Sequence, residues 1–124
     1  EALEPIGRTI TLEMCGTFFH GNANYHTDKE EARRLGFSDV VVGGRMTISY
    51  IGDVLDRRFG KGWLEGGRLD VKFVNIVWPD DYVTARAVIT DRTAENGGSR
   101  AKVALWMEKQ AGTVVIVGTA SALE

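Results

Sequence analysis

Apolar and polar residues alternate near the start of the chain, between Arg8 and Phe19. Ile10, Leu12 and Met14 are separated by a threonine and a glutamate, and a repeat of two residues is typical of a β-strand with one buried face. The run is short, so a short helix is the alternative. The stretch that follows, residues 21–24, has the composition of a turn.

The middle of the chain has the apolar spacing of helices. A short helix is expected from Lys29 to Arg33, capped by Thr27 or Asp28 and ended by Gly36. A longer helix is expected from Gly44 to Arg58, and it should be largely buried because its apolar residues cover more than one narrow stripe. These apolar residues are Met46, Ile48, Tyr50, Ile51, Val54, Leu55 and Phe59.

Three glycines mark this longer helix. Gly52 lies inside it and costs roughly 1 kcal/mol relative to alanine, which close packing of the helix backbone against a sheet would explain. Gly43 and Gly44 stand at its start. Either they make a tight turn into the helix, or they leave unpaired amides at a helix N-terminus, where such amides stabilise a developing oxyanion.

The last third of the chain alternates again and predicts four strands joined by short turns. Consecutive strands with short connections form an antiparallel sheet, and one buried helix against such a sheet is an α+β layer architecture. Its edge strands need covering or pairing, which a dimer would provide. The strands are expected around residues 69–73, 83–89, 101–107 and 113–120, with turns at 79–81, 96–98 and 111–112.

Length and composition fit one domain over residues 1–124, with 44% hydrophobic residues for its core. The formal net charge of -2 argues against a nucleic-acid protein, which needs a clustered basic surface. No apolar run approaches the roughly 20 residues of a membrane span. Cys15 is the only cysteine, so an intrachain disulfide is impossible and a cytoplasmic setting is the simplest interpretation.

The two histidines, His20 and His26, both fall in the polar segment before the first predicted helix. A histidine in such a loop is more often a surface residue than a catalyst, although histidine is the side chain best suited to move protons near neutral pH. His20, His26 and Asp28 lack any known zinc spacing, and Cys15 stands alone. We therefore expect neither a metal site nor a cofactor.

Several segments occur in an order that is specific as a set. Asn24-Tyr25-His26-Thr27-Asp28 is followed by Val41-Val42-Gly43-Gly44 and the long helix, and then by residues 71–83, which include the turn Pro79-Asp80-Asp81. This order resembles the signature of the MaoC-like (R)-specific enoyl-CoA hydratases. The similarity covers about residues 16–89.

The resemblance implies a hotdog fold, in which an antiparallel sheet wraps around a long buried helix. It also implies addition of water to a trans-2-enoyl-CoA thioester to give a 3-hydroxyacyl-CoA, or the reverse dehydration. By this resemblance His26 is the catalytic acid/base, and the Gly44 amide, next to Gly43, polarises the thioester carbonyl. The acyl chain would lie along the helix near Ile48 and Ile51, although such residues are more often plain core.

The chain departs from the family pattern at the second proton-transfer group. Aligned without gaps on His26, the family's catalytic aspartate falls on Gly21, which cannot move a proton. Asn22 or Asn24 could orient the water, but an amide is no base at pH 7. Asp28 is carboxylic and near, and is better explained as a helix cap.

Three functions stay open on this basis. The chain is a hydratase or dehydratase that uses His26 with an unusual partner; or it is a non-catalytic, complementary subunit beside another hotdog chain; or it hydrolyses acyl-CoA thioesters on the same fold. In each case the expected ligand is an acyl-CoA thioester, and the expected assembly is a homodimer or a hotdog heterodimer.

Arg45 replaces the family's methionine at the start of the long helix. A cation there opposes the helix dipole at a cost of about 0.3–1 kcal/mol. A solvent-facing position would explain it, and so would contact with a substrate carboxylate or a phosphate of CoA.

Overall fold

The computed structural model describes residues 1–11, 14, 29–36, 42–95 and 97–124. Three helices and five strands are named within these ranges. They are β1 (Ile6–Thr9), α1 (Lys29–Arg34), α2 (Gly44–Phe59), α3 (Lys61–Gly66), β2 (Arg68–Phe73), β3 (Tyr82–Glu95), β4 (Gly98–Lys109) and β5 (Val114–Leu123).

The five strands form one antiparallel sheet in the order β1-β3-β4-β5-β2. The two long central pairs, β3 with β4 and β4 with β5, are consecutive along the chain, as short turns require. One irregularity interrupts the pairing of β3 with β4, between Ile89 and Asp91. The predicted α+β class and antiparallel sheet are confirmed.

Helix α2 lies against the inner face of this sheet and supplies the centre of the core. Its residues Ile51 and Leu55 are 2% and 0% exposed. They belong to the same buried cluster as Val103 and Met107 of β4. Because a helix that is apolar over several stripes cannot face water on those stripes, the sheet wraps around it. This is the expected hotdog arrangement.

The helix predictions are confirmed to within a residue or two. Helix α2 begins at Gly44 as expected and ends at Phe59, followed by Gly60 at φ 54°. Helix α1 covers Lys29–Arg34, and Gly36 after it has φ 95°. Positive φ after the last turn is the reason that glycine ends both helices. The caps suggested for α1, Thr27 and Asp28, lie outside the described residues.

The turn between β4 and β5 is as tight as predicted. A short 3₁₀ turn spans Gln110–Gly112, in which Ala111 and Gly112 both have positive φ. The turn expected at residues 79–81 is also present, and Asp80 has φ 74°. Aspartate tolerates the left-handed region better than most residues, which suits it to this position.

The strand expected from Arg8 to Phe19 is wrong at Ile10, Thr11 and Met14, and the rest of it after Thr11 lies outside the described residues. Strand β1 ends at Thr9, and Met14 is helical. The Met14 amide donates a hydrogen bond to Thr11 Oγ1 at 3.1 Å, as at a helix N-cap, where a threonine oxygen takes an otherwise free amide. The helical alternative therefore holds at Met14.

The packing reason suggested for Gly52 is also wrong. A Cβ placed on Gly52 would meet no described atom within 4 Å. The described strands of the sheet therefore do not press on the helix backbone at this position. Within the described residues, no helix is long and apolar enough to cross a membrane.

Candidate active site

The N-terminus of α2 is the place where the sequence puts its candidate amides. Gly43 is a buried N-cap with extended backbone (φ -65°, ψ 136°), and its carbonyl accepts the Met46 amide at 3.1 Å. The Thr47 hydroxyl donates to the Gly44 carbonyl at 3.0 Å. Within the described part of the chain, the amides of Gly44 and Arg45 have no acceptor. Among the described residues, two donors at the positive end of a 16-residue helix are thus left without an acceptor, and they point to a place where a ligand oxygen can bind.

The ring of Phe73, at the end of β2, lies against Gly44. A Cβ placed on Gly44 would stand 2.8 Å from Phe73 Cζ and 3.0 Å from Cε1, closer than real Cβ atoms approach. Gly44 has no positive φ. Glycine is therefore required here by the space that the ring occupies rather than by a special backbone angle.

The chain before α2 is held by the loop that follows β2. The Val42 amide donates to the Val77 carbonyl at 3.0 Å, and both side chains are buried, each 6% exposed. The loop is itself tied to β5, because the Val74 amide donates to the Val115 carbonyl at 2.9 Å. The chain that leads into α2 is thus anchored to the sheet through this loop.

The other predicted substrate-binding residues lie on the first two turns of α2. The side chain of Arg45 is exposed, and no carboxylate among the described residues pairs with it. Ile48, one turn after Gly44, is partly exposed, whereas Ile51 is buried in the core. Of the two isoleucines, Ile48 is the one with surface left for a ligand.

The remaining predicted site residues lie outside the described residues. These are His26, the proposed acid/base, and Asn22 and Asn24, the proposed water-holding amides. Gly21, Asp28, His20 and Cys15 lie there too. Within the described residues no three His, Cys, Asp or Glu side chains are grouped as a metal site would need.

A buried carboxylate, Asp81, organises the loop that holds the helix N-terminus. Asp81 Oδ2 accepts the Trp78 amide at 2.9 Å and the Lys109 ammonium at 3.3 Å, and Oδ1 accepts the Gln110 side chain at 2.6 Å. Lys109 also donates to the Ile76 carbonyl at 3.1 Å. These contacts join the loop to the far end of β4.

The pKa of the Asp81 carboxyl is lowered by these contacts. Burial alone would raise it, but the Trp78 amide, the Gln110 side chain and the Lys109 ammonium together favour the charged form more strongly. A carboxylate held this firmly by three donors serves as a structural anion. It is not poised to exchange protons near neutral pH.

A concavity of about 400 Å³ lies elsewhere, among residues of β2, β4 and β5 together with Thr90. Its polar lining includes Arg68, Asp70, Lys102 and Ser121. Their register places these side chains on the sheet face opposite to Leu69 and α2. It is therefore separated by the sheet from the α2 N-terminus and does not belong to the candidate site.

Sequence reasoning missed two residues of this site. From the sequence, Phe73 was recognised only as one residue of an alternating strand. The glycine pair at the start of α2 was the available signal that a large side chain approaches the helix. Asp81 was only a turn residue. Its link to Lys109 joins two positions that have no local pattern in common, so no sequence signal could have found it.

An antiparallel sheet wrapped around a buried helix defines a hotdog protein. Comparison with models of protein families identifies the family to which the chain belongs. The model of the MaoC-like domain matches residues 3–111. The chain therefore belongs to the MaoC-like domain family, whose hotdog dehydratases were indicated by the segment order. No curated protein sequence matches the chain significantly.

Solved structures of similar fold include the monoamine oxidase regulatory protein from an Archaeoglobus species. It is 23% identical, with a TM-score of 0.79, over 99% of this chain and 87% of that one. The (R)-hydratase from A. caviae involved in PHA biosynthesis is 17% identical, with a TM-score of 0.76, over 98% and 92%.

A third similar structure is a complex. The C-terminally truncated HadBC complex from Mycobacterium tuberculosis, a 3R-hydroxyacyl-ACP dehydratase, contains a chain that is 17% identical. Its TM-score is 0.72, over 100% of this chain and 95% of that one. Likenesses at these identities show the hotdog fold.

Proposed function

We propose that this chain hydrates a trans-2-enoyl-CoA thioester to a 3-hydroxyacyl-CoA, or runs the reverse dehydration. In this proposal His26 moves the proton, Asn22 or Asn24 holds the water, and the Gly44 amide donates to the thioester oxygen. Family membership supports the reaction class. The observation that carries the proposal is the Gly44 amide at the N-terminus of a buried helix, which has no acceptor among the described residues.

The chemistry follows from where charge develops. When water adds at the β-carbon, electrons move onto the thioester oxygen, which becomes an enolate oxygen. An amide already aimed at that oxygen, backed by the positive end of α2, stabilises the transition state without reorganising. The Gly43 carbonyl is occupied by Met46 and the Gly44 carbonyl by Thr47. The backbone around the amide is therefore held in place before substrate arrives.

Gly21 at the family's aspartate position supports a second candidate. A chain without that carboxylate could be the complementary half of a pair, with its partner supplying the full acid–base set. The HadBC structure is, by its description, a complex. In this alternative the present chain contributes the Gly44 amide and the wall of a shared acyl-CoA tunnel.

Assembly as a homodimer or as a hotdog heterodimer is part of both proposals. Within the described residues, β2 pairs with β5 on one side only, and Val74 and Ile76 just after it are 43% and 37% exposed. An open strand edge beside exposed apolar residues favours pairing with a second chain. We expect Val74→Glu to shift the chain to monomers in sedimentation velocity, while Lys72→Glu, two residues earlier on β2, leaves the assembly unchanged.

Arg45 is proposed to contact a negative group of the substrate. It stands beside the free amides, is exposed, and has no carboxylate partner among the described residues. Arg45→Ala is expected to raise KM for an acyl-CoA that ends in a carboxylate more than for a neutral acyl-CoA. Equal increases for both would exclude the carboxylate and leave CoA phosphate as the contact.

The test of the main proposal follows the conjugated thioester of a short trans-2-enoyl-CoA by absorbance, with a thiol reagent in a parallel sample. The wild-type chain is compared with His26→Ala and with His20→Ala, a matched control in the same segment. We expect the absorbance to fall with wild type and His20→Ala, and about 10²–10⁴-fold more slowly with His26→Ala. No thiol should appear.

The other outcomes each point to one alternative. Release of free thiol would identify a thioesterase on the same fold. If the chain is inert alone, but becomes active with a second hotdog chain that carries the complete Asp–His pair or raises the activity of that chain, it is a complementary subunit. Equal rates for His26→Ala and His20→Ala would remove His26 from the mechanism.

A further inference from the structure

We propose that Phe73 is the residue that limits the bulk accepted at the α-carbon of the enoyl thioester. This inference rests on the proposed function, because it takes the Gly44 amide as the group that holds the thioester oxygen. It adds a specificity-determining residue at a position to which the family resemblance assigns no role. It also implies a substrate class: thioesters that carry only hydrogen at the α-carbon.

The contact between the ring and the helix N-terminus carries the proposal. Phe73 Cζ, Cε1 and Cε2 stand 2.8, 3.0 and 3.4 Å from the place of a Cβ on Gly44. The tip of the ring therefore lies over the residue that supplies the free amide. A carbonyl oxygen bound to that amide sits about 2.9 Å from its nitrogen, so the ring bounds the same small space.

The position of the Phe73 ring is fixed firmly enough for the ring to form one side of a substrate pocket. Phe73 is on the inner face of β2, opposite Ile116, which is 1% exposed. The next two residues bind β5, through the Val74 amide to the Val115 carbonyl at 2.9 Å and the Asn75 side-chain amide to the Val114 carbonyl at 2.8 Å. The backbone of Phe73 is thus fixed from both sides, and only side-chain rotation can move the ring.

The ring is nevertheless not part of the closed core. Phe73 is 50% exposed, while the core residues around α2 are nearly inaccessible. A large apolar side chain that is half exposed and still touches a helix terminus has a face left for a ligand. The edge of the Phe73 ring carries partial positive charge, so the ring does not oppose an oxyanion that forms at the Gly44 amide.

The test compares two thioesters that differ by one α-methyl group: trans-2-butenoyl-CoA and 2-methyl-trans-2-butenoyl-CoA. The ratio of kcat/KM for the methylated over the plain substrate is measured for wild type, Phe73→Ala and Phe73→Leu. Val117→Ala is the matched control, since Val117 is an exposed apolar residue of β5 on the other face of the sheet. The melting temperature of every variant is measured alongside.

We expect Phe73→Ala to raise this ratio at least 10-fold, since a single methyl group in a pocket changes discrimination by about 10–200-fold. Phe73→Leu should raise it less, and Val117→Ala should leave it within 2-fold. An unchanged ratio in a folded, active Phe73→Leu or Phe73→Ala protein would overturn the inference alone. Absence of turnover of both thioesters by wild type would overturn the hydratase proposal, and the inference with it.

Discussion

The carboxylate of Asp81 and the ammonium of Lys109 form an ion pair at 3.3 Å, and their side chains are only 11% and 17% exposed. Asp81 joins the end of β4 to the loop whose Val77 carbonyl holds the chain before α2. The geometry of the candidate site therefore depends on a charge pair that does not itself face the free amides.

Asp81 makes the free energy of unfolding depend on pH in the acidic range. Because the pKa of Asp81 is lowered in the folded protein, its stabilisation is fully present above its unfolded pKa of about 3.9. That stabilisation is lost as the pH falls through the lowered folded value. Urea unfolding of wild type between pH 2 and 7 should show this loss, and Asp81→Asn should flatten the curve.

At pH 7 we expect Asp81→Asn to cost about 1–3 kcal/mol of unfolding free energy, because hydrogen bonds to a charged group are lost. Asp80→Asn is the matched control. Asp80 is exposed, and asparagine also tolerates its positive φ. Identical pH curves for the two variants would show that Asp81 is not the titrating anchor.

Gly44→Ala should disturb Phe73 and little else. The added Cβ would lie 2.8 Å from the ring, which must move. Overpacking of this kind typically costs about 1–3 kcal/mol. In a Phe73→Ala background the cost should disappear, because alanine is otherwise the better helix former. A double-mutant cycle by urea unfolding measures this coupling, and equal costs in the two backgrounds would contradict the contact.

Gly52→Ala should stabilise the protein by about 0.5–1 kcal/mol. The added methyl group meets no described atom within 4 Å, and the position is inside α2, where alanine is favoured over glycine. The midpoint of urea unfolding should rise accordingly. A loss of stability would mean that a residue outside the described ranges packs on Gly52.

Arg100→Met should be strongly destabilising, because Arg100 is 9% exposed and well bonded. Its guanidinium donates to Glu95 at 2.7 Å, to the Gly66 carbonyl at 2.8 Å and to Ser121 at 3.0 Å. Removing it leaves these acceptors unmatched, at a cost of about 2–4 kcal/mol. Thermal and urea unfolding check this value.

Lys102→Met is the control for Arg100, since Lys102 is an exposed residue of the same strand with no ion pair among the described residues. It should change the unfolding free energy by no more than about 0.5 kcal/mol. Similar losses of unfolding free energy for the two variants would contradict the prediction that the Arg100 contacts stabilise the protein.

Local pattern alone determined much of this protein. The apolar stripes between Gly44 and Arg58 predicted a buried helix that differs from α2 by one residue at its end. The alternation after residue 68 predicted four strands, and Ala111-Gly112 predicted the tight turn between two of them. These features are local because helix and strand periods, and positive φ at a turn, depend on neighbours in the chain. The order of the segments also sufficed to indicate the family.

Only the tertiary structure decided which distant residues meet at the start of α2. The contact of Phe73 with Gly44 depends on the register that places Phe73 opposite Ile116 at the end of the sheet. The pairing of Asp81 with Lys109 depends on the length of β3 and β4 between them. No periodicity encodes such contacts, because they arise when the sheet closes around the helix and brings strand ends to one place.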